Sequence, residues 1–245
     1  MMFPAPASFL GAAAAVLSFS SISNMAEMYC MAGKYQWLSS TALQPTSSFL
    51  SKTKEWKTVD EGLAELQGMK RRDLIQLYFE CDSDDTIAMF SNVVKRRSYD
   101  GYLLDNGPVL STVTNFITNK LFGSGQKWLG KVYFTSDGKN AIRTGQNRFL
   151  CNEGGERLDR TFDCYIDQSA LYNKPTSQVI INNYAKHVNK WSPARIIWGG
   201  MVDELKVIPT PKCKQKEVML LGMGYFNWSG GVWNAAPFCL ISREN

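Results

Sequence analysis

GSGQKWLGKVYFTSDGKNAIRTGQNRFL, residues 123–150, decides how the rest of the chain is read. Two candidate strands, Trp128–Phe134 and Ile142–Leu150, flank Asp137-Gly138-Lys139-Asn140. An Asp-Gly pair suits the tight turn that joins antiparallel neighbours. The chain beyond it has the same texture. Leu158–Ile166, Gln178–Tyr184, Met201–Ile208, Val218–Phe226 and Pro237–Ser242 read as further strands, and Tyr99–Leu104 as an earlier one. Turn chemistry separates them at Asn152-Glu-Gly-Gly155 and Ser229-Gly-Gly231, and prolines interrupt at Lys174-Pro175 and Pro209-Thr-Pro211. Alternation is clearest around residues 158–166, where Phe162, Cys164 and Ile166 share one face and Asp163 and Tyr165 the other. Eight short, evenly spaced strands with few helical patterns between them predict a mainly β fold. The expected form is an antiparallel up-and-down or nearly closed barrel. Closure removes exposed edges and leaves room for one small ligand.

Ahead of the strands the periodicity is helical. VDEGLAELQGM sets Leu63 and Leu66 at helical spacing with acids near its start, and KRRDLIQLYFEC places Leu74, Leu77 and Tyr78 on one face. Asp82-Ser-Asp-Asp85 reads as the N-cap region of a third helix rather than a calcium loop, because the later glycine and closing glutamate of such a loop are missing. Val109, Val113, Phe116, Ile117 and Leu121 recur at helical spacing up to Gly123 and predict a helix over one end of the sheet. Residues 1–24 carry no charge, and Phe9–Phe19 is about half of the roughly 20 apolar residues that span a bilayer. The region reads as a targeting segment or a disordered extension. Its composition points to an organelle (plastid-type presequence) or the secretory pathway rather than plain cytosol. Residues 1–54 are thus expected to be extension and linker, and 55–245 a single barrel domain with a helical N-terminal part.

The 245 residues carry a net charge of +5. Lys and Arg are spread out, densest at Lys70-Arg71-Arg72 and Lys95-Arg96-Arg97, so no nucleic-acid footprint is expected; a weak attraction to anionic membrane is compatible with the charge. Six cysteines with no closely spaced pair and a single histidine, His187, build no metal site, and free thiols are expected ahead of bridges. The chain has no Gly-x-Ser-x-Gly elbow and no Gly-rich loop ending in Gly-Lys-Ser/Thr, which removes those hydrolase and phosphate-cradle signatures. No cofactor is identified. Asn227-Trp-Ser229 matches a glycosylation acceptor, relevant only in the secretory pathway.

Gly125-Gln-Lys-Trp128-Leu-Gly130-Lys131, Gly145-Gln-Asn147-Arg148-Phe149, Asp203-Glu204-Leu205 and Gly222-Met-Gly224 resemble an uncharacterised group of small lipocalin-like, calycin-type barrels with a glycine and a tryptophan marking an early strand. The resemblance covers roughly residues 70–245. It implies the fold and a capacity to hold a hydrophobic small molecule, and it implies no reaction.

Six residues are candidates for a ligand site: Trp128, Tyr133, Asn147, Arg148, Asp203 and Glu204. Trp128 and Tyr133 line a pocket or belong to the core. Of Asn147 and Arg148, one must face inward. Either Arg148 does, paired with Asp203 or Glu204, or Asn147 does, hydrogen-bonded to backbone. Asp203 and Glu204 are neighbours on a strand and face opposite ways, so they form no dyad; one alone in a cavity could serve as a general base. Three functions are compatible with this: a carrier of a lipid, pigment or similar apolar molecule; an isomerase- or dehydratase-type enzyme using Asp203 or Glu204; and a structural subunit of a larger, membrane-associated complex.

Overall fold

The alternation that predicts eight strands is realised in full. The structure, a computed structural model, describes residues 49–95, 98–134, 143–171, 178–189, 198–209, 217–226 and 235–242. Strands β1 (Ser98–Leu103), β2 (Lys127–Phe134), β3 (Arg143–Leu150), β4 (Glu156–Gln168), β5 (Gln178–Asn183), β6 (Met201–Val207), β7 (Met219–Phe226) and β8 (Ala236–Ser242) follow one another around a closed barrel. Every neighbouring pair is antiparallel, and β1 closes the ring on β8 through Tyr99↔Ser242 to Leu103↔Phe238. The Asn152–Gly155 turn forms as predicted, with Cys151 N donating to Gly155 O at 2.7 Å and Gly154 at φ +86°. The Asp137-Gly138 turn, the Ser229-Gly-Gly231 turn and residues 1–48 lie outside the described residues, as does Asn227.

Among the described residues four helices precede the barrel: α1 (Phe49–Thr53), α2 (Val59–Gly68), α3 (Arg71–Glu80) and α4 (Ser83–Val93). Local chemistry starts two of them. The Thr58 side chain accepts from Glu61 N, and Asp82 accepts from Asp84 N, confirming a cap in place of a calcium loop. A short helix in the expected linker is a departure. Phe49 and Leu50 of α1 pack on the core, and Leu50 N donates to Glu80 Oε2 at 2.8 Å. Helix α5 (Pro108–Asn115) runs into a π-helical segment, Phe116–Phe122, between β1 and β2. Asn119 Oδ1 of that segment accepts from Trp128 N at 2.8 Å, which ties it to the start of β2.

Two cores result. The lumen holds Tyr99, Tyr133, Phe149, Phe162 and Tyr184, with Val93 and Val94 from the end of α4. Three edge-to-face contacts, Tyr99–Tyr133, Tyr133–Phe162 and Phe162–Tyr184, link four of these rings at centroid distances of 5.3–5.6 Å, each contributing about 0.5–1.5 kcal/mol beyond area burial. The second core lies outside the wall. There Leu63, Leu66, Leu74, Leu77 and Tyr78 of α2 and α3 cover Ile181, Val202, Leu221, Met223, Cys239 and Ile241. Strands β6–β8 are therefore buried on both faces, while β2 and β3 alternate. Cys81, Cys151, Cys164 and Cys239 are free thiols.

Candidate functional site

Two β-bulges set the site. In β2 the pairing jumps from Trp128↔Phe149 to Gly130↔Arg148, so an extra residue enters the strand. The bulge resets the parity, and Trp128 and Lys131, three residues apart, both turn inward. Gly130 makes this geometry accessible: its φ is +135°, and a Cβ there would lie 2.0 Å from Tyr99 O. Between β3 and β4 the register slips from Gly145↔Phe162 to Asn147↔Asp159. The extra residue falls near Arg160, at φ +56°, and its carbonyl accepts from Asn147 Nδ2 at 3.2 Å.

A buried polar network gathers where these distortions meet. Lys131 Nζ donates to Asn147 Oδ1 at 2.9 Å and to Tyr184 OH at 2.6 Å, and pairs with Asp203 Oδ2 at 2.9 Å. Tyr184 OH donates to the same Asp203 oxygen at 2.8 Å. Trp128 Nε1 donates to Asn147 Oδ1 at 3.0 Å. Four rings surround the ammonium: Trp128, Phe162, Tyr184 and Phe238 lie 5.0–5.8 Å from it. Beside Asp203 across the β5–β6 pairing is Asn182, which donates to Tyr133 OH at 3.1 Å; its buried Oδ1 has no hydrogen-bond partner among the described residues. Burial pulls the Lys131 ammonium below the ordinary lysine value, and Asp203 opposes that shift. Burial likewise raises the Tyr133 and Tyr184 hydroxyls well above theirs.

Trp128 also belongs to a groove of about 420 Å³ at the β1–β2 rim. Gly101, Tyr102, Leu103 and Leu129 share its apolar wall, Gln67, Asn115 and Asn119 supply amides, and Lys127 and Arg148 sit with Asp100 and Glu156. The four charged side chains balance. Gly101 has a steric role: a Cβ there would meet the Trp128 ring at 2.5 Å.

The six predicted residues separate. Trp128 lines the groove, and so does Arg148. Asn147 is the inward member of its pair. Arg148 therefore does not meet Asp203 or Glu204. It faces outward, with Nη1 3.1 Å from Asp100 and Nη2 2.6 Å from Glu156. The cation opposite Asp203 is Lys131, because the β2 bulge turns it inward. Tyr133 packs in the lumen. Glu204 is not in the lumen at all: it lies beneath the helices, accepting from Tyr78 OH, Ser169 Oγ, Ala170 N and Tyr225 OH at 2.6–3.0 Å. Those four donors engage the carboxylate and tie α3 to the wall. His187, read as a surface residue, is exposed and contacts Asp163 Oδ1 at 2.7 Å. Lys131, Tyr184 and Asn182 were not among the candidates. An inward Asn147 needs a partner, and that requirement was the available signal for Lys131.

Among the described residues no cluster of His, Cys, Asp and Glu could hold a metal ion, and no helix is long and apolar enough to cross a membrane. Comparison with protein-family models, curated proteins and solved structures finds no match.

Proposed function

We propose that this protein binds an apolar small molecule and that the ligand sits in the rim groove at Trp128, not on the barrel axis. An eight-stranded barrel is compatible with small-molecule binding. Large side chains occupy the lumen, so the expected axial site moves to the rim. The observation that carries this reading is the groove itself: a half-open concavity of about 420 Å³ whose aromatic and aliphatic wall is bordered by amides and balanced charges. That volume falls in the range of ligand pockets, roughly 300–1,000 Å³. The charges at its edge cancel, which favours a ligand with an uncharged polar end.

N-phenyl-1-naphthylamine, a neutral apolar fluorophore, tests this. Saturable binding at one site is expected, weakened by Trp128→Ala and by Leu129→Asp. Linear, unsaturable uptake by the wild-type chain removes the proposal. The alternative of proton transfer by a single cavity carboxylate has less support. Asp203 is held by Lys131 and Tyr184, and Glu204 lies on the other side of the wall.

A further inference from the structure

We propose that Lys131 is a nucleophile that forms an imine with a carbonyl-bearing ligand entering through the rim groove. This deepens the ligand-binding reading and rests on it. Trp128 joins the two places. It lines the groove, its ring lies 5.8 Å from Lys131 Nζ, and its Nε1 shares the Asn147 acceptor with that ammonium. The imine requires the buried Trp128 ring to turn out of the wall, giving a carbonyl at the groove's edge access to the amine.

Stability gives little reason for this arrangement. A buried ion pair contributes little relative to an apolar pair of the same volume. Yet two bulges, a glycine at φ +135° and an arginine at φ +56° converge to present this one. Strain and bulges concentrate where a side chain is being aimed. The second, independent observation is Asn182 Oδ1, a fully buried acceptor with no partner among the described residues, on the strand paired with that of Asp203. It offers a place for a hydroxyl proton. A lysine desolvated among rings is the form in which lysine serves as a nucleophile.

The step balances without an added reactant. Lys131 gives a proton to Asp203, 2.9 Å away. The neutral amine attacks the carbonyl carbon, the N–C bond forms, and proton transfer from nitrogen to oxygen gives a neutral carbinolamine, its hydroxyl facing Asn182. Asp203 returns its proton to that hydroxyl, the C–O bond breaks, and water leaves. The resulting iminium keeps Asp203 as counter-ion, and Tyr184 continues to donate to the carboxylate.

The test is reductive trapping on the full chain. The protein is incubated with trans-cinnamaldehyde and sodium cyanoborohydride at neutral pH, and the adducts are mapped by peptide mass spectrometry. Labelling of Lys131 is expected to exceed that of Lys127, the exposed groove lysine, by about tenfold or more. Lys131→Met abolishes that adduct. Should this variant fail to fold, the wild-type map still decides. Prior saturation with N-phenyl-1-naphthylamine is expected to suppress Lys131 labelling and spare the surface lysines. Saturable binding of the fluorophore with Lys131 unlabelled overturns the imine and leaves the groove reading intact. Absence of both overturns both.

Discussion

Replacing Asp203 by asparagine keeps the side-chain shape and removes the counter-charge of a fully buried ammonium. Lys131 Nζ retains two neutral acceptors, Asn147 Oδ1 and Tyr184 OH, and four ring faces. Losing one partner of a buried pair costs about 3–5 kcal/mol. The remaining acceptors put the expected loss at the lower end, about 3 kcal/mol. With a urea m-value of about 3 kcal/mol/M for a chain of this size, the midpoint falls by about 1 M. The loss depends on pH. Burial already lowers the Lys131 pKa, and without Asp203 the opposing effect disappears, so the folded variant releases its proton more readily still. The unfolded lysine holds its proton up to about 10.4, so between the two values the unfolded state binds more protons and stability rises with pH. Urea unfolding of wild type and variant from pH 6 to pH 10 should show the deficit largest at low pH and narrowing upward. Lys131→Met combined with Asp203→Asn should recover stability over Asp203→Asn alone, with a coupling of about 2 kcal/mol. A single variant within about 0.5 kcal/mol of wild type, or a deficit no smaller at high pH, refutes the account of the pair as a buried charge.

Gly130→Ala meets both a φ of +135° and the Tyr99 carbonyl, and should cost more than about 2 kcal/mol in thermal unfolding. Glu204→Ala strands donors from Tyr78, Tyr225, Ser169 and Ala170. A loss of about 3 kcal/mol is expected, with hydrogen-exchange protection falling first in α3 and at residues 169–171. Burial would raise the Asp163 carboxyl, but hydrogen bonds from Lys186 and His187 outweigh it and hold it below the ordinary value. Its contribution is present above about pH 4 and lost as pH falls through the lower folded pKa; with solvent screening at the exposed partner Lys186, Asp163→Asn should cost at most about 1 kcal/mol at pH 7 and less under acid. Burial pushes the Cys81 thiol up to about 12 and those of Cys164 and Cys239 higher still, so iodoacetamide at mild pH should alkylate half-buried Cys151 first of the four.

The strands were legible because their signals are local. Asn-Glu-Gly-Gly and the apolar alternation of Phe162, Cys164 and Ile166 act over a few residues, and the observed ends differ from the predicted ones by at most two. The site was less legible for the same reason. Alternation counts residues two by two, and an extra residue at Trp128-Leu129-Gly130 inverts the count without changing the composition. Strict alternation from an inward Trp128 would put Lys131 on the outer face, and the bulge puts it in the lumen. The sequence left open which of Asp203 and Glu204 faces the lumen, because β6 is covered on both sides and an outward side chain there is as buried as an inward one. Nothing within MVDELKV reports that α3 lies against it.

The helical layer shields only part of the ring, and that asymmetry has an evolutionary consequence. Along β6, β7 and β8 a changed side chain meets packed neighbours whichever way it points, so drift there is confined to near-isosteric exchanges. Along β2 and β3 the outward positions are half-exposed or exposed, and those away from the groove tolerate a wider range of side chains, which lets that half of the wall acquire new surface chemistry while the other half preserves the scaffold.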